Sequence, residues 1–364
     1  MAWTVTRTAR GVELDAAGST HALSWRWLRD HGEDPESFDH ATSQRRIDVL
    51  GEAPQPAQSI RMDDERLIMR WPDAPTATWI TNTTLVRLLG TSASESCVRP
   101  WRRAADLADI DRHSVDAILA DDHALTAWML DLATWGFARL GGFAGGHDEA
   151  RQISDRIGYV RETIFGGLWD LASDLTDHED TAYTQTFLAP HTDGTYSHDA
   201  PGLQMFCCVE RSGTGGESIV VDGLAIAEDL RRDHPGHFEL LTRLAIPAHY
   251  IEPGVELRAA RPALRLAADG GLAQISLNNY DRSPMLLPAD EMERFYEAYG
   301  TLQRMADDPD RWHAVRLEAG DVLINNNWRV LHGRHAYTGA RRFVGCYLNH
   351  EDFESRCRTL GITL

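Results

Sequence analysis

Two histidines and one aspartate have the residue types and the spacing of a metal site. His191 and Asp193 lie in the run Ala-Pro-His-Thr-Asp-Gly-Thr, and His332 lies far downstream in Leu-His-Gly-Arg. Side chains two residues apart on an extended segment project to the same side. A carboxylate and two imidazoles on one face form the 2-His-1-carboxylate triad of non-haem iron(II) sites. A lone His-x-Asp is common by chance, so the prediction of an iron site rests on the three residues together.

Polar residues near His332 predict how an oxo acid would be held beside the metal. Three protein ligands leave three positions open on octahedral iron, enough for a bidentate 2-oxo acid and O2. We expect Arg341 to point inward and to donate two hydrogen bonds to the distal carboxylate of that acid. We expect Arg334 to hold the other carboxylate and Ser218 to add a hydroxyl near the metal. For any one of these arginines, a surface ion pair is the alternative interpretation, and for Arg341 we favour the site.

Aromatic residues near the His-Thr-Asp run suggest a pocket for a cation. Phe165, Trp169 and Tyr183 precede the run, and Tyr196 follows it. Aromatic faces attract a quaternary ammonium group by about 0.5–2 kcal/mol per contact. Asp180 adds a negative charge on the same segment. The alternative interpretation is that these rings only pack in the core.

The composition excludes several other kinds of chemistry. The chain has 364 residues, and each of its 36 basic Lys or Arg residues is an arginine. Without a lysine amine, Schiff-base, pyridoxal-phosphate and P-loop chemistry are excluded. The net charge of −19 argues against nucleic acid or an anionic membrane surface as a partner.

The cysteines and the hydropathy pattern suggest where the protein works. There are 5 cysteines, an odd number, and no Cys-x-x-Cys pair occurs. This pattern favours a reduced, cytoplasmic setting. Apolar runs stay well short of a membrane span, and the first residues alternate like a strand rather than like a signal peptide.

Hydrophobic periodicity divides the chain into two predicted domains. Short alternating segments, separated by Pro and Gly, predict a small β-rich domain over residues 1–95. Residues 96–112, rich in Arg and Asp, are typical of a linker, and residues 110–364 combine short strands with helices. Helical periodicity recurs in this second domain, over residues 114–136, 148–157, 224–232 and 290–304. Many short strands with helical insertions are typical of a jelly roll, which would bring His191 and His332 together at its mouth.

From about residue 20 to the C-terminus, the chain resembles the trimethyllysine and γ-butyrobetaine hydroxylases. The shared runs are Trp27-Leu-Arg-Asp-His, Arg161-Glu-Thr-Ile-Phe-Gly, Asp180-Thr-Ala-Tyr-Thr, His191-Thr-Asp, Thr214-Gly-Gly, Val221-Asp-Gly, Asn278-Asn-Tyr-Asp-Arg, Asn327-Trp-Arg-Val-Leu-His-Gly-Arg and Gly345-Cys-Tyr-Leu. These enzymes are iron(II)- and 2-oxoglutarate-dependent oxygenases with a double-stranded β-helix fold. The resemblance implies Fe(II) as cofactor, 2-oxoglutarate and O2 as co-substrates, a homodimer, and Asn279 as a substrate-binding residue.

Within this family, the chain is closer to the trimethyllysine branch. By resemblance, Phe165, Trp169 and Tyr183 form the cage for the trimethylammonium group. Asp180 stands where the butyrobetaine branch has an Asn near the substrate carboxylate, and Gly194 stands where that branch has a Tyr. Both differences disfavour γ-butyrobetaine, and the acidic Asp180 suits a substrate with a cationic amine.

One departure from the family concerns a structural zinc. Family members often bind zinc through cysteines just after the Trp-Leu-Arg-Asp run. Residues 32–37 of this chain are Gly-Glu-Asp-Pro-Glu-Ser, without a cysteine. Because thiolate ligation is impossible there, we predict no structural zinc.

These observations predict an iron(II)- and 2-oxoglutarate-dependent dioxygenase that hydroxylates a C–H bond of a small trimethylammonium compound. N6-trimethyllysine is the first choice, and γ-butyrobetaine or (2-trimethylammonioethyl)phosphonate is the alternative. A demethylase of methylated protein lysine and an oxygenase of sulfonates or phosphonates are further possibilities. A non-catalytic jelly-roll sensor of betaines or metal is the alternative outside enzymes.

Overall fold

The structure is a computed structural model. It describes residues 3–16, 18–51, 54–90, 96–107, 110, 112–172 and 184–364. The chain divides into two compact units, Met1–Glu95 and Ser96–Leu364.

The first unit consists of small antiparallel sheets and two short helices. Its strands are β1 Thr4–Arg7, β2 Gly11–Ala16, β3 Ser19–Ser24, β4 Phe38–Asp39, β5 Gln44–Arg45, β6 Ser59–Met62, β7 Arg66–Arg70 and β8 Ala77–Thr81, and its helices are α1 Trp25–Asp30 and α2 Asn82–Leu88. They form a β1-β2-β3 sheet, a β6-β7-β8 sheet and a β4-β5 pair. Leu14, Leu28, Leu67 and Ile80 are fully buried in the core of this unit.

The second unit contains the predicted mixture of strands and helices. Its strands are β9 Arg112–Ser114, β10 Phe137–Gly141, β11 Val160–Arg161, β12 Leu168–Ala172, β13 Leu188–His191, β14 Leu203–Arg211, β15 Ser218–Asp222, β16 Ile246–Glu252, β17 Val255–Arg261, β18 Leu264–Leu266, β19 Leu272–Ile275, β20 His313–Val315, β21 Asp321–Asn326, β22 Val330–Arg334 and β23 Arg341–Leu348. Its α-helices are α3 Val115–Ala120, α4 Asp122–Trp135, α5 His147–Asp155, α6 Gly223–Asp233, α7 Pro235–Arg243, α8 Ala289–Ala306 and α9 His350–Thr359. Short 3-10 turns lie at Ala104–Leu107 and Pro309–Arg311.

Two mainly antiparallel sheets form the body of this unit. The larger sheet has the order β11-β23-β14-β21-β10-β9, with β12 also paired to β23. The smaller sheet has the order β13-β22-β15-β20. Val220 and Val330 of the smaller sheet pack with Leu323 and Phe343 of the larger one, so the two sheets face each other. This arrangement confirms the predicted jelly-roll fold.

Side-chain alternation explains why both sheets are covered by helices. Along β14, Met205 and Cys207 pack outward with α3, α4, α5 and α9, whereas Cys208 packs inward between the sheets. Ile219 and Val221 of β15 likewise pack outward against α6, α7 and α8. The site residues described below lie on the inward-facing side of the sheets.

Local sequence features set the helix boundaries. Ser114 caps α3 as its spacing predicts, accepting a hydrogen bond from the backbone N–H of Ala117. Gly136 ends α4 with φ 81°, a conformation in which glycine lacks the steric cost of a side chain. Residues 96–107, for which the sequence suggests a linker, contribute Trp101 and Leu107 to the core between the sheets. In the part of the chain that the structure describes, every helix is too short or too polar to cross a membrane.

Candidate metal centre and active site

Strand pairing brings the two predicted histidine ligands together. His191 is the last residue of β13, and His332 lies opposite it in the neighbouring β22. Directly opposed residues of an antiparallel pair point to the same face. Their imidazole centroids are 4.4 Å apart, and both residues are buried. The pairing of two neighbouring strands therefore brings together His191 and His332, which are far apart in the sequence.

Asp193 reaches the site from a loop rather than from the extended segment that we expected. Because β13 ends at His191, the direction of Asp193 depends on hydrogen bonds to its backbone. Asn327 accepts from the N–H of Asp193 at 2.8 Å and donates to its carbonyl oxygen at 3.1 Å. Gly194 follows with φ 70°, and a Cβ there would come within 2.5 Å of Pro201. The tight turn after Asp193 therefore requires glycine.

The three side chains form a compact donor set. Oδ1 of Asp193 lies 3.4 Å from Nε2 of His191 and 3.6 Å from Nε2 of His332. One ligand atom from each residue can be chosen so that all lie within 4.8 Å of one another. Two imidazole nitrogens and one carboxylate oxygen are the donors that ferrous iron accepts in such triads, so the residues fit the predicted metal. Among the described residues this is the one group of His, Cys, Asp or Glu so arranged, and the absence of structural zinc stays a prediction.

Burial and mutual attraction shift the pKa values of the three triad residues in different directions. Nδ1 of His191 lies 2.8 Å from the carbonyl oxygen of Ala189, which favours the tautomer with Nε2 free to bind a metal. Burial lowers the pKa of His332 to about 4, so its ring is neutral at neutral pH. Burial would raise the pKa of the Asp193 carboxyl, but attraction to the His332 ring in its protonated form, the charge of His191 and the hydrogen bonds that Asp193 accepts outweigh burial and hold this pKa well below its usual range. Burial opposes a charge on His191, but the hydrogen bond and charge of Asp193 outweigh burial and raise the pKa of that ring.

The second oxygen of Asp193 is held by two residues that the motifs did not reveal. The Tyr347 hydroxyl donates to Oδ2 at 2.8 Å, and Nε2 of Gln204 also donates to it. A third residue of the same sheet face, Asn325, is fully buried, and its amide oxygen and nitrogen have no hydrogen-bond partner in the described chain. An unpaired buried amide that lines a pocket fits a site whose ligand supplies the missing partners.

The arginine expected to hold the oxo acid is buried and forms no ion pair with any described residue. Arg341 lines the same pocket as the triad and is 8% exposed, and its Nε has no partner among the described residues. Burial, with Arg334 close by, lowers the pKa of Arg341 to about 9, which leaves the guanidinium charged at neutral pH. A buried charge is costly unless it is paired, so this guanidinium fits the carboxylate of a dianionic co-substrate such as 2-oxoglutarate.

Arg334 and Ser218 also line the pocket, opposite each other in the β15–β22 pair. Arg334 donates to the carbonyl oxygens of Thr184 and Thr186, at 2.6 and 3.1 Å. These contacts fix the segment that follows residue 183. They commit one end of the Arg334 guanidinium to the protein backbone, whereas the sequence suggested a carboxylate partner.

The predicted substrate residues are only partly brought together. Phe165, Trp169 and Tyr196 line the pocket, together with residues that the motifs did not single out, such as Phe206 and Tyr280. The positions of the other predicted substrate residues, Asp180 and Tyr183, lie outside the described residues.

Asn279 does not line the pocket in the structure. It is exposed and accepts a hydrogen bond from Arg282 at 3.1 Å. Its neighbour Asn278 is buried and lines the pocket instead, donating to Asp281 at 2.8 Å. Asp281 also lines the pocket and places a carboxylate beside the aromatic wall.

Comparison with known proteins places this geometry among dioxygenases. Residues 102–347 match the family described as "Taurine catabolism dioxygenase TauD, TfdA family". The mitochondrial trimethyllysine dioxygenase of Gallus gallus is 32% identical over 365 residues, covering 96% of this chain and 86% of that protein. The corresponding protein of Homo sapiens is 32% identical over 364 residues, with coverages of 96% and 85%. The gamma-butyrobetaine dioxygenase of Pseudomonas sp. strain AK-1 is 30% identical over 365 residues, with coverages of 97% and 94%.

Proposed function

The chain belongs to the TauD, TfdA family of dioxygenases, and from this premise we propose that it hydroxylates a C–H bond of a small trimethylammonium compound, with N6-trimethyllysine as first choice. The enzyme uses Fe(II), with 2-oxoglutarate and O2 as co-substrates. The observation that carries the proposal is one pocket that joins the His-Asp-His group, the buried guanidinium of Arg341 and an aromatic wall.

Each part of the pocket has a proposed role. His191, Asp193 and His332 hold the iron, which supplies the oxygen chemistry when it is bound. Arg341 binds the distal carboxylate of 2-oxoglutarate. Ser218 adds a hydroxyl at that end of the pocket, and Arg334 remains a second proposed contact to the co-substrate.

The aromatic wall is proposed to select and orient the substrate. Phe165, Trp169 and Tyr196 present ring faces to a quaternary ammonium group and exclude water around the C–H bond. Asp180, Tyr183 and Asn279 stay in the proposal on the strength of the shared motifs alone.

The proposed substrate preference is supported by relatives and by charge. Two of the relatives described above are named for trimethyllysine and one for γ-butyrobetaine. Asp281 places a carboxylate in the pocket, which favours a substrate with an additional cationic amine over one whose other end is a carboxylate. γ-Butyrobetaine and (2-trimethylammonioethyl)phosphonate remain the alternatives.

A substrate panel tests the function directly. Purified protein with Fe(II), 2-oxoglutarate and O2 is given each quaternary amine in turn, and succinate and product mass are measured together. We expect trimethyllysine to stimulate succinate release and to gain one oxygen atom. Formaldehyde release would indicate a demethylase, and binding without O2 consumption would indicate a sensor. A lack of stimulation by every quaternary amine would refute the proposal.

The cellular setting is also part of the proposal. A cytoplasmic setting without nucleic-acid or membrane partners agrees with the net charge of −19 and with the free cysteines among the described residues. The proposed homodimer rests on the family resemblance alone. The names of the chicken and human relatives include the word mitochondrial, which describes the location of those two proteins and not of this chain. Light scattering of the purified chain would test the dimer.

A further inference from the structure

Tyr347 takes part in two sites at once. Its ring lies in the pocket wall, with its centroid 5.7 Å from that of Trp169. Its hydroxyl donates to Oδ2 of Asp193 at 2.8 Å. One side chain therefore contacts both the proposed substrate wall and a proposed iron ligand.

The two carboxylate oxygens of Asp193 have different neighbours. Oδ1 faces Nε2 of both His191 and His332, at 3.4 and 3.6 Å. Oδ2 accepts from Tyr347 and from Gln204. Hydrogen bonds to an ionised carboxylate are about twice as strong as neutral ones. With Oδ2 occupied, Oδ1 is the oxygen that would be left to bind a metal.

The register of the larger sheet builds this arrangement. Tyr347 of β23 lies opposite Gln204 of β14, and both point to the inward face. Two residues before Tyr347, Gly345 lets the indole of Trp169 lie against the strand, since a Cβ there would come 2.0 Å from Cη2 of Trp169. The indole is thus fixed beside the tyrosine ring, and a ligand that displaces the indole must also press on that ring.

We propose that Tyr347 is a positioning residue that couples occupancy of the substrate pocket to the orientation of Asp193. The inference rests on the proposed function in taking a quaternary amine as the occupant. It goes beyond that function because it assigns the phenol oxygen a task at the metal that is separate from the ring's place in the wall.

Tyr347→Phe separates the two tasks, because it keeps the ring and removes only the donor. Residues that orient metal ligands typically change metal affinity by about 10- to 100-fold when they are replaced. We expect the Kd for Fe(II) to rise by about 10-fold in this variant. We also expect 2-oxoglutarate to be consumed without hydroxylated product more often than in the wild type, whereas binding of the quaternary amine changes less than about twofold.

The experiment is an anaerobic titration that does not depend on turnover. Fe(II) is added to the protein with 2-oxoglutarate, and the visible absorption of the oxo acid–iron chelate reports binding. Trimethyllysine is then added, and the change in this absorption reports communication from the pocket. The wild type should show both responses, and Tyr347→Phe should bind iron more weakly and lose the response to the amine.

Two matched variants make the result specific. Gln204→Leu removes the other donor to Oδ2 and is expected to weaken Fe(II) binding while the response to the amine is kept. Tyr159→Phe removes a phenol that is 79% exposed and should behave like the wild type. Thermal unfolding of each variant checks that it is folded.

The possible outcomes separate this inference from the proposed function. If Tyr347→Phe binds Fe(II) like the wild type and keeps the response to the amine, Tyr347 is only a wall residue and the inference is wrong. If wild-type absorption responds to none of the quaternary amines, the proposed substrate class and the coupling are both wrong. The ratio of Fe(II) affinities then still decides whether the phenol orients Asp193.

Discussion

The position of Trp169 in the pocket depends on Gly345, and this dependence gives the most direct prediction. A Cβ at residue 345 would lie 2.0 Å from Cη2 and 2.1 Å from Cζ3 of the indole, where ordinary contact begins at 3.4 Å. In Gly345→Ala, the indole must therefore retreat by about 1.4 Å, since the other near atoms belong to the same ring. Trp169 also contacts Phe206, at a centroid distance of 5.7 Å, which limits how far it can move within the wall.

The effect of this displacement can be estimated from the interaction that it removes. A cation–π contact contributes about 0.5–2 kcal/mol, which corresponds to about 2- to 30-fold in affinity. We expect the KM for the trimethylammonium substrate of Gly345→Ala to rise by a factor in this range. The added methyl group also overpacks the sheet, at a cost of about 1–3 kcal/mol in the free energy of unfolding.

The assay compares the charged substrate with its neutral tert-butyl isostere in the wild type and in the variant. Loss of the cation–π contact should reduce the preference for the charged compound, whereas a general loss of packing would affect both compounds equally. The KM for 2-oxoglutarate serves as an internal control, because Arg341 lies four residues before Gly345 on the same strand. An unchanged preference for the charged compound, in a variant that is folded, would refute the assignment of Trp169 to the cation site.

Three further predictions concern the metal, the co-substrate and stability. His191→Ala should abolish Fe(II) binding, measured by metal titration, and retained iron would remove His191 from the triad. Arg341→Met should raise the KM for 2-oxoglutarate by about 100-fold, in line with a charge-assisted contact of about 1.5–3 kcal/mol, and a change below threefold would contradict its role. Asp229 accepts hydrogen bonds from three arginines while almost fully buried. Asp229→Asn should lower the free energy of unfolding by about 3–5 kcal/mol. Burial opposes the charge on Asp229, but these arginines outweigh burial and lower its pKa in the folded state. The stability that Asp229 contributes is therefore present above its ordinary pKa of 3.8 and is lost as the pH falls through the lower folded value. Urea unfolding at a series of pH values should show this loss in the wild type and not in the variant.

The triad of proposed metal ligands could be located because its spacing is recorded in the sequence. His191 and Asp193 are two residues apart in one motif, and His332 lies in a distinctive motif of its own. The predicted family and enzyme class are confirmed by the match to dioxygenases over most of the chain. Even so, the reason we gave for Asp193 was incomplete, since Asn327 and not strand alternation sets its direction.

The roles of Tyr347, Gln204 and Asn325 could not be found from the sequence, although Tyr347 lies in the shared run Gly345-Cys-Tyr-Leu. The three residues stand on three different strands, and they meet because Gln204 lies opposite both of the other two in the pairing of the larger sheet. A shift of one residue in that register would turn Gln204 to the opposite face. The sequence pattern indicates that such strands exist, but the register depends on the packing of the whole sheet. The sequence pattern did not predict helix α7, Pro235–Arg243, for a related reason. The buried face of this short helix, which includes Phe238 and Leu241, is buried only by packing against other elements of the unit.

The distribution of charge in the pocket explains how one cavity can accept two ligands of opposite sign. Arg334 lies on β22 and Arg341 lies on β23. Asp281 lies in the loop after β19, next to the aromatic residue Tyr280, and all four residues line the pocket. A dianionic oxo acid is attracted to the guanidinium groups and repelled by Asp281, whereas a quaternary amine has the opposite preference. Each proposed ligand is therefore disfavoured in the other's position. The aromatic wall strengthens this selection, because ring faces attract a cation without adding a further charge to the pocket.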